Sequence, residues 1–198
     1  MAKHRVEFFW DAVSPYTYLA NELVLRMRAR WDAEVIWRPF FLGAVMKDTG
    51  NRPPAQVPAK GKYLLKDLQD HMRLYDLPFQ FPWEFPAMTL TAMRAALWCD
   101  QQGKGQQAAA AMLRAYWAEG KTITDTAVVA GIVDGLGLDG QAALAATQDE
   151  AIKEALKRNS AEAVERGAFG APTFFVDGED MYWGHDRLSF VDTKVRLA

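Results

Sequence analysis

Two short apolar runs rich in aromatic and β-branched side chains, at residues 5–10 and 34–42, carry the pattern of buried strands. Between them, residues 15–30 read as a helix, so the chain opens β-α-β, an order that predicts a parallel pair with a right-handed crossover. From 43 to about 80 the pattern loosens. Thr49-Gly-Asn-Arg-Pro-Pro54 and Val57-Pro58 mark a loop, and residues 60–75 are mostly helical. A loop of that length inside a compact domain is usually functional or mobile. Residues 87–102, 105–118, 124–135 and 139–146 follow as helices separated by glycine-rich breaks. Thr147-Gln-Asp-Glu150 matches the capping-box pattern, which predicts a further helix from 151 until Gly167 ends it. Strands return at 173–176 and 179–183 as a hairpin around Asp177-Gly178, and 186–196 reads as a last helix. The expected class is α/β, with a βαβ half (residues 1–45) and a ββα half (147–198) making one domain and an all-helical insertion at 46–146.

Composition narrows the range of partners. The chain has 198 residues, enough to bury a core without staples, and half of them are hydrophobic. A formal net charge of −2 with 24% charged residues and no long basic run argues against nucleic acid, leaving a small molecule or a protein. The single cysteine, Cys99, rules out an internal disulfide framework and reads as core filler within the helical pattern at 90–99. No apolar stretch follows Lys3-His4-Arg5 as in a signal peptide, and none reaches membrane-spanning length, so a soluble cytoplasmic protein with no membrane partner is expected. No metal site is expected.

The chemistry concentrates at the first helix. Ser14-Pro-Tyr-Thr17 places a hydroxyl where a strand–loop–helix redox site would carry the first cysteine of Cys-x-x-Cys, because a helix N-terminus stabilises a thiolate there. Neither Ser14 nor Thr17 can form a disulfide. Ser14 can instead donate a hydrogen bond to a thiolate brought in by a ligand; it can equally serve only as the cap of a helix with Pro15 in its first turn. Pro172 stands at the first residue of a strand, where a missing N–H is harmless. A trans bond is the commoner state there, whereas a cis bond would expose the backbone of Ala171 to strand-like pairing with a ligand. Large aromatics, among them Trp10, Trp37, Trp98, Trp117 and the segment Phe79-Gln-Phe-Pro-Trp-Glu-Phe85, read mostly as core. Phe81, Trp83 and Phe85 alternate in a proline-rich stretch and are the candidates for walling an aromatic pocket.

The combination of Ser14-Pro-Tyr-Thr-Tyr-Leu-Ala20, Thr49-Gly-Asn-Arg-Pro-Pro54 with Lys60-Gly61, Gly170-Ala-Pro-Thr-Phe-Phe-Val176 and Trp183-Gly-His-Asp-Arg-Leu188 resembles the 2-hydroxychromene-2-carboxylate isomerase family, related to kappa-class glutathione transferases. The resemblance spans nearly the whole chain. It implies a thioredoxin-like fold with a helical domain inserted as in DsbA, and glutathione as cofactor. By that resemblance Ser14 is the catalytic serine that hydrogen-bonds the glutathione sulfur, and Asn51 and Lys60 are ligand contacts, the lysine facing a glutathione carboxylate. Ala171, before a cis Pro172, pairs through its backbone with the cysteinyl part; Asp186, beside His185, holds the γ-glutamyl ammonium. Taken only as residues, Asn51 and Lys60 also fit a solvated loop and Asp186 a helix cap. The sequence departs from its relatives in carrying His185 where the transferases have a small hydroxyl residue, and in lacking an asparagine within Phe85-Pro-Ala-Met-Thr-Leu90.

The activity the resemblance implies is glutathione-dependent isomerisation of an aromatic 2-oxo acid and its chromene hemiketal, in aromatic-compound catabolism, by a homodimer. Two alternatives remain at this stage: a kappa-like transferase or peroxidase with the same glutathione site, and a non-catalytic thioredoxin-fold binding protein.

Overall fold

The computed structural model describes residues 3–196. Its strands are β1 (His4–Trp10), β2 (Ala33–Pro39), β3 (Thr173–Val176) and β4 (Asp180–Trp183). The helices are α1 (Pro15–Met27), α2 (Leu42–Thr49), α3 (Pro58–Leu74), α4 (Leu90–Gln101), α5 (Gly105–Trp117), α6 (Thr126–Asp134), α7 (Gly140–Ala146), α8 (Glu150–Glu165) and α9 (Leu188–Val195). The strands form one sheet in the order β2-β1-β3-β4. As the opening pattern predicts, β1 and β2 are parallel and joined through α1, with Val6 opposite Val35 and Phe8 opposite Trp37. On its other side β1 pairs antiparallel with β3, Phe8 meeting Phe174, and β3 with β4 closes the hairpin.

Strand alternation feeds two cores. Val6, Phe8 and Trp10 join Phe174 and Val176 on one face, covered by Tyr18, Leu19 and Val24 of α1 and by Leu188 and Val191. Met93, Ala96, Met112, Leu113 and Trp117 of α4 and α5 belong to the same apolar cluster, so the helical segment packs directly on the sheet. Phe9 and Phe175 point the other way, against Leu42 and Val45 of α2 and Ala163 of α8. Phe8 stacks on Phe174 at 4.7 Å between ring centres; truncating so buried an aromatic costs ~3–5 kcal/mol. Trp10, Trp37 and Trp117 are core, and Cys99 is fully buried, its thiol pushed up to about 11 by burial.

Three local expectations are corrected. Strand β2 ends at Pro39, and residues 42–49 form α2, ended by Gly50 in the left-handed region (φ 72°), so the expected loop is confined to residues 50–57, with a 3₁₀ turn at Pro54–Gln56. The capping box is not made: Thr147 belongs to the end of α7, its hydroxyl donates back to the Leu144 carbonyl (2.7 Å), and Asp149 holds the N-cap position of α8. That back-bond is the local competitor that Ser and Thr side chains offer to capping. The last helix begins as a tight 3₁₀ turn over His185–Arg187 before α9. The expected end of α8 holds, with Gly167 at φ 97° just beyond it.

Candidate active site

Ser14 is the N-cap of α1. Its Oγ accepts from the Thr17 N–H (3.3 Å), Pro15 occupies the first helical position, and the first turn carries no acidic residue. The first turn of the helix itself thus adds no carboxylate against the positive end of its dipole. The capping role expected of Ser14 is real, but it uses only the lone pairs. The hydroxyl proton goes elsewhere: Ser14 donates to the Ala171 carbonyl at 3.0 Å, across 157 positions of sequence. The Ala171–Pro172 bond is cis. Among the described residues, the Ala171 N–H has no hydrogen-bond acceptor, while the next backbone carbonyl, that of Pro172, receives the Gly184 N–H at 3.0 Å. A rotatable O–H donor, a helix N-terminus and an unpaired peptide N–H thus converge beside one another.

The remaining candidates gather round this pair. Asn51, just past α2, donates Nδ2–H to the Phe169 carbonyl (2.7 Å) and accepts from the Arg52 N–H (2.8 Å), tying its loop to the segment that leads into Ala171. Lys60 lies exposed in the first turn of α3, on the rim of a cavity of about 360 Å³ lined by Tyr16, Pro54, Ala59, Tyr63 and Leu64. His185 is buried with its ring parallel to that of Tyr16 (5.1 Å) and perpendicular to that of His71 (4.5 Å). Burial first, and His71 second, hold its pKa down at about 4, so the imidazole is neutral at neutral pH. Asp186 is exposed and pairs with the Arg187 guanidinium at 2.9 Å. Its expected capping role fails: Gly184 holds the N-cap position of the turn, and no side chain caps it.

Several residues that shape the site carry no local signature. Tyr16 stands two positions after Ser14, lines the cavity and donates its hydroxyl to Asp67 of α3 at 2.6 Å. Burial and that carboxylate together push the Tyr16 phenol well above its ordinary range. His71 donates Nδ1–H to the Asp67 carbonyl (2.8 Å), fixing the ring against which His185 rests. Asp11, three residues before Ser14, is completely buried. Of the aromatic candidates for a pocket wall, Phe81 and Phe85 pack on Trp117, whereas Trp83 is 96% exposed and walls nothing.

A four-stranded sheet of this order, with a helix N-terminus facing a cis proline, defines the class, and comparison with known proteins bears it out. Residues 5–196 match the model of the DsbA-like thioredoxin domain, and the chain belongs to that family. Glutathione S-transferase kappa 1 of Rattus norvegicus is 31% identical over 199 residues, covering 94% of this chain and 88% of its own length. The 2-hydroxychromene-2-carboxylate isomerase of Pseudomonas putida is 30% identical over 193 residues, covering 95% and 92%. In three dimensions the chain superposes on a solved 2-hydroxychromene-2-carboxylate isomerase with a TM-score of 0.87 at 26% identity, over 96% of this chain and 93% of that one. The relatives are thus isomerases and glutathione transferases on a thioredoxin-type scaffold. Among the described residues no helix is long and apolar enough to cross a membrane.

Proposed function

We propose that this protein is a glutathione-dependent isomerase of the 2-hydroxychromene-2-carboxylate type, interconverting the chromene and trans-o-hydroxybenzylidenepyruvate. The observation that carries the reading is the Ser14 hydroxyl, set at the N-terminus of α1 against the Ala171 carbonyl, where a disulfide oxidoreductase would place a thiol. The donor set fits the tripeptide. Ser14 and the helix N-terminus suit a sulfur anion, the Ala171 N–H and C=O suit a peptide in extended conformation, and Pro172 fixes that edge. Lys60 and Asp186 offer opposite charges for a carboxylate and an ammonium, and Asn51, a ligand contact in this reading, ties its loop to Phe169.

When bound, glutathione supplies a thiolate that adds reversibly to a conjugated double bond. The protein's part is to make that anion available and aim it. A free thiol has a pKa near ~8.5 and is only a few per cent ionised at neutral pH. Rotation of the Ser14 hydroxyl from the Ala171 carbonyl towards a sulfur replaces a neutral acceptor by a charged one, a stronger hydrogen bond in a buried site. The peptide dipoles of α1 add to it without reorganising.

Ser14→Ala is expected to lower turnover by about 10²–10³-fold while changing glutathione affinity little, because the hydrogen bond acts chiefly on the anion. Full turnover in that variant at neutral pH would end this reading. The transferase relatives, at similar identity, support a second one in which the same site serves conjugation or peroxide reduction. Accumulated conjugate or glutathione disulfide in a substrate panel would favour it, and a spectral change of the chromene at constant thiol concentration would favour the isomerase. In this reading the protein acts as a cytoplasmic homodimer in aromatic-compound catabolism.

A further inference from the structure

We propose that Asp11 is a positioning residue for Ser14, acting through a buried clamp with Thr89 that fixes where the Ser14 Oγ stands while its proton stays free to rotate. Asp11 directly follows β1 and has no solvent exposure, yet no cation pairs with it among the described residues. Its carboxylate is satisfied by three donors instead. Oδ1 accepts from the Val13 N–H (3.0 Å) and the Thr89 hydroxyl (2.7 Å), and Oδ2 from the Leu42 N–H (2.8 Å). Each donor opens a different element: the turn into α1, the first residue of α2, and the N-cap position of α4. The Asp11 carbonyl also accepts from the Ser14 N–H at 3.2 Å.

The residue between is held just as fully. The Ala12 N–H is directed at the Met93 sulfur of α4 (3.5 Å), and its carbonyl accepts from the indole N–H of Trp117 in α5 (2.8 Å). The turn at residues 11–13 is therefore held by its own bonds and by four anchors from outside it: Leu42 at the start of α2, Thr89 and Met93 at and within α4, and Trp117 of α5. A single rotatable bond, Cα–Cβ, separates this rigid turn from the Ser14 Oγ, so the place of that oxygen is set by the turn. Burying a carboxylate with hydrogen bonds but no cation is costly, and burial does raise the Asp11 pKa against the pull of its three donors. A purely structural contact at this spot could be made at lower cost by apolar side chains, whereas an acceptor with two oxygens can bind three diverging donors at once.

The inference rests on the function proposed above only for its consequence in turnover; the clamp itself is tested without ligand. Thr89→Val removes the hydroxyl donor at nearly constant shape, and Thr89→Ser retains it. In amide hydrogen exchange, Thr89→Val is expected to speed exchange at Val13, Ser14 and Thr17 by about tenfold or more, with Ala96 of α4 unchanged and Thr89→Ser close to wild type. With glutathione and chromene, the same variant is expected to lose about tenfold in kcat while KM for glutathione stays within about twofold. Unchanged exchange at the three amides, or faster exchange spread evenly over α4, overturns the clamp. Faster exchange at the turn with wild-type kcat overturns the positioning role. A wild-type protein that binds glutathione but isomerises nothing overturns the proposed reaction, and the exchange data still decide the clamp.

Discussion

At the Ser14 end of the site the side chains of Ser14 and Asp11 are bonded to groups from distant parts of the chain, whereas at the end marked by Lys60 and Asp186 the charges stand in solvent. Ser14 is tied to Ala171 across 157 positions by a part-buried hydrogen bond, and Asp11 to Leu42 and Thr89 across 31 and 78 by buried ones. Lys60 lines an open cavity, and among the described residues the Asp186 carboxylate pairs with its exposed neighbour Arg187. The two ends teach different physics. Orientation is set where water is excluded and donors cannot re-aim, while charge at an exposed rim attracts a ligand through contacts worth ~0–1 kcal/mol each and weakened by salt.

The buried end should therefore break on small steric changes. Gly170 leads into Ala171, and a Cβ there would lie 2.6 Å from the Trp183 indole nitrogen, with the ring already packed on Phe169 at 4.8 Å. Gly170→Ala must push that ring or the Ala171 peptide aside. The expected cost is about 1–3 kcal/mol of stability, with a loss of glutathione affinity measured by calorimetry. Unchanged affinity would show that the Ala171 edge takes no part in binding.

Much of this buried frame was legible in the chain. The strands at 5–10 and 173–176 follow from their apolar runs, and the parallel pairing follows from β-α-β order. Ser14 and Pro172 were visible because a cap residue before proline and a proline at a strand start are local patterns. Helix α2 was not, because it spans only eight residues and is capped by Phe41, which makes no side-chain bond to mark its start. Thr147 misled for the opposite reason: the capping pattern is present, but its hydroxyl bonds backward to Leu144. Asp11 and Asp67 were silent because their partners lie 31, 51 and 78 residues away, and only the packing of α3 and α4 on the first turn brings them in. Long-range hydrogen bonds have no period in sequence.

His185 lies between the two ends and gives a pH test of how closed the region is. Its pKa falls from 6.5 to about 4 in the fold, so between those values the unfolded chain binds the proton that the folded chain refuses. Stability contributed by the neutral ring is present above pH 6.5 and is lost progressively as pH falls towards 4. The melting temperature of wild type should drop over that window more steeply than that of His185→Gln, by a difference of about 2–4 °C for about 1 kcal/mol. Parallel acid limbs would show that His185 is hydrated and that the Tyr16–His71 packing does not exclude water.

The smallest effect belongs to the rim. Lys60 sits in the first turn of α3 with its ammonium free to reach a carboxylate over the cavity shared with Tyr16 and Tyr63. An exposed contact of this kind gains modest Coulomb energy against the entropy of a long side chain, so Lys60→Gln should raise KM for glutathione only about two- to fivefold and leave kcat unchanged. Salt discriminates further: at high ionic strength wild type and variant should converge, because screening removes from the wild type what the substitution removes from the variant. A kcat that falls with Lys60→Gln, or a difference that persists in high salt, would place the lysine in a dry, oriented contact. The contrast between the two ends would then have to be redrawn, with α3 closing over the ligand so that the rim becomes part of the buried site.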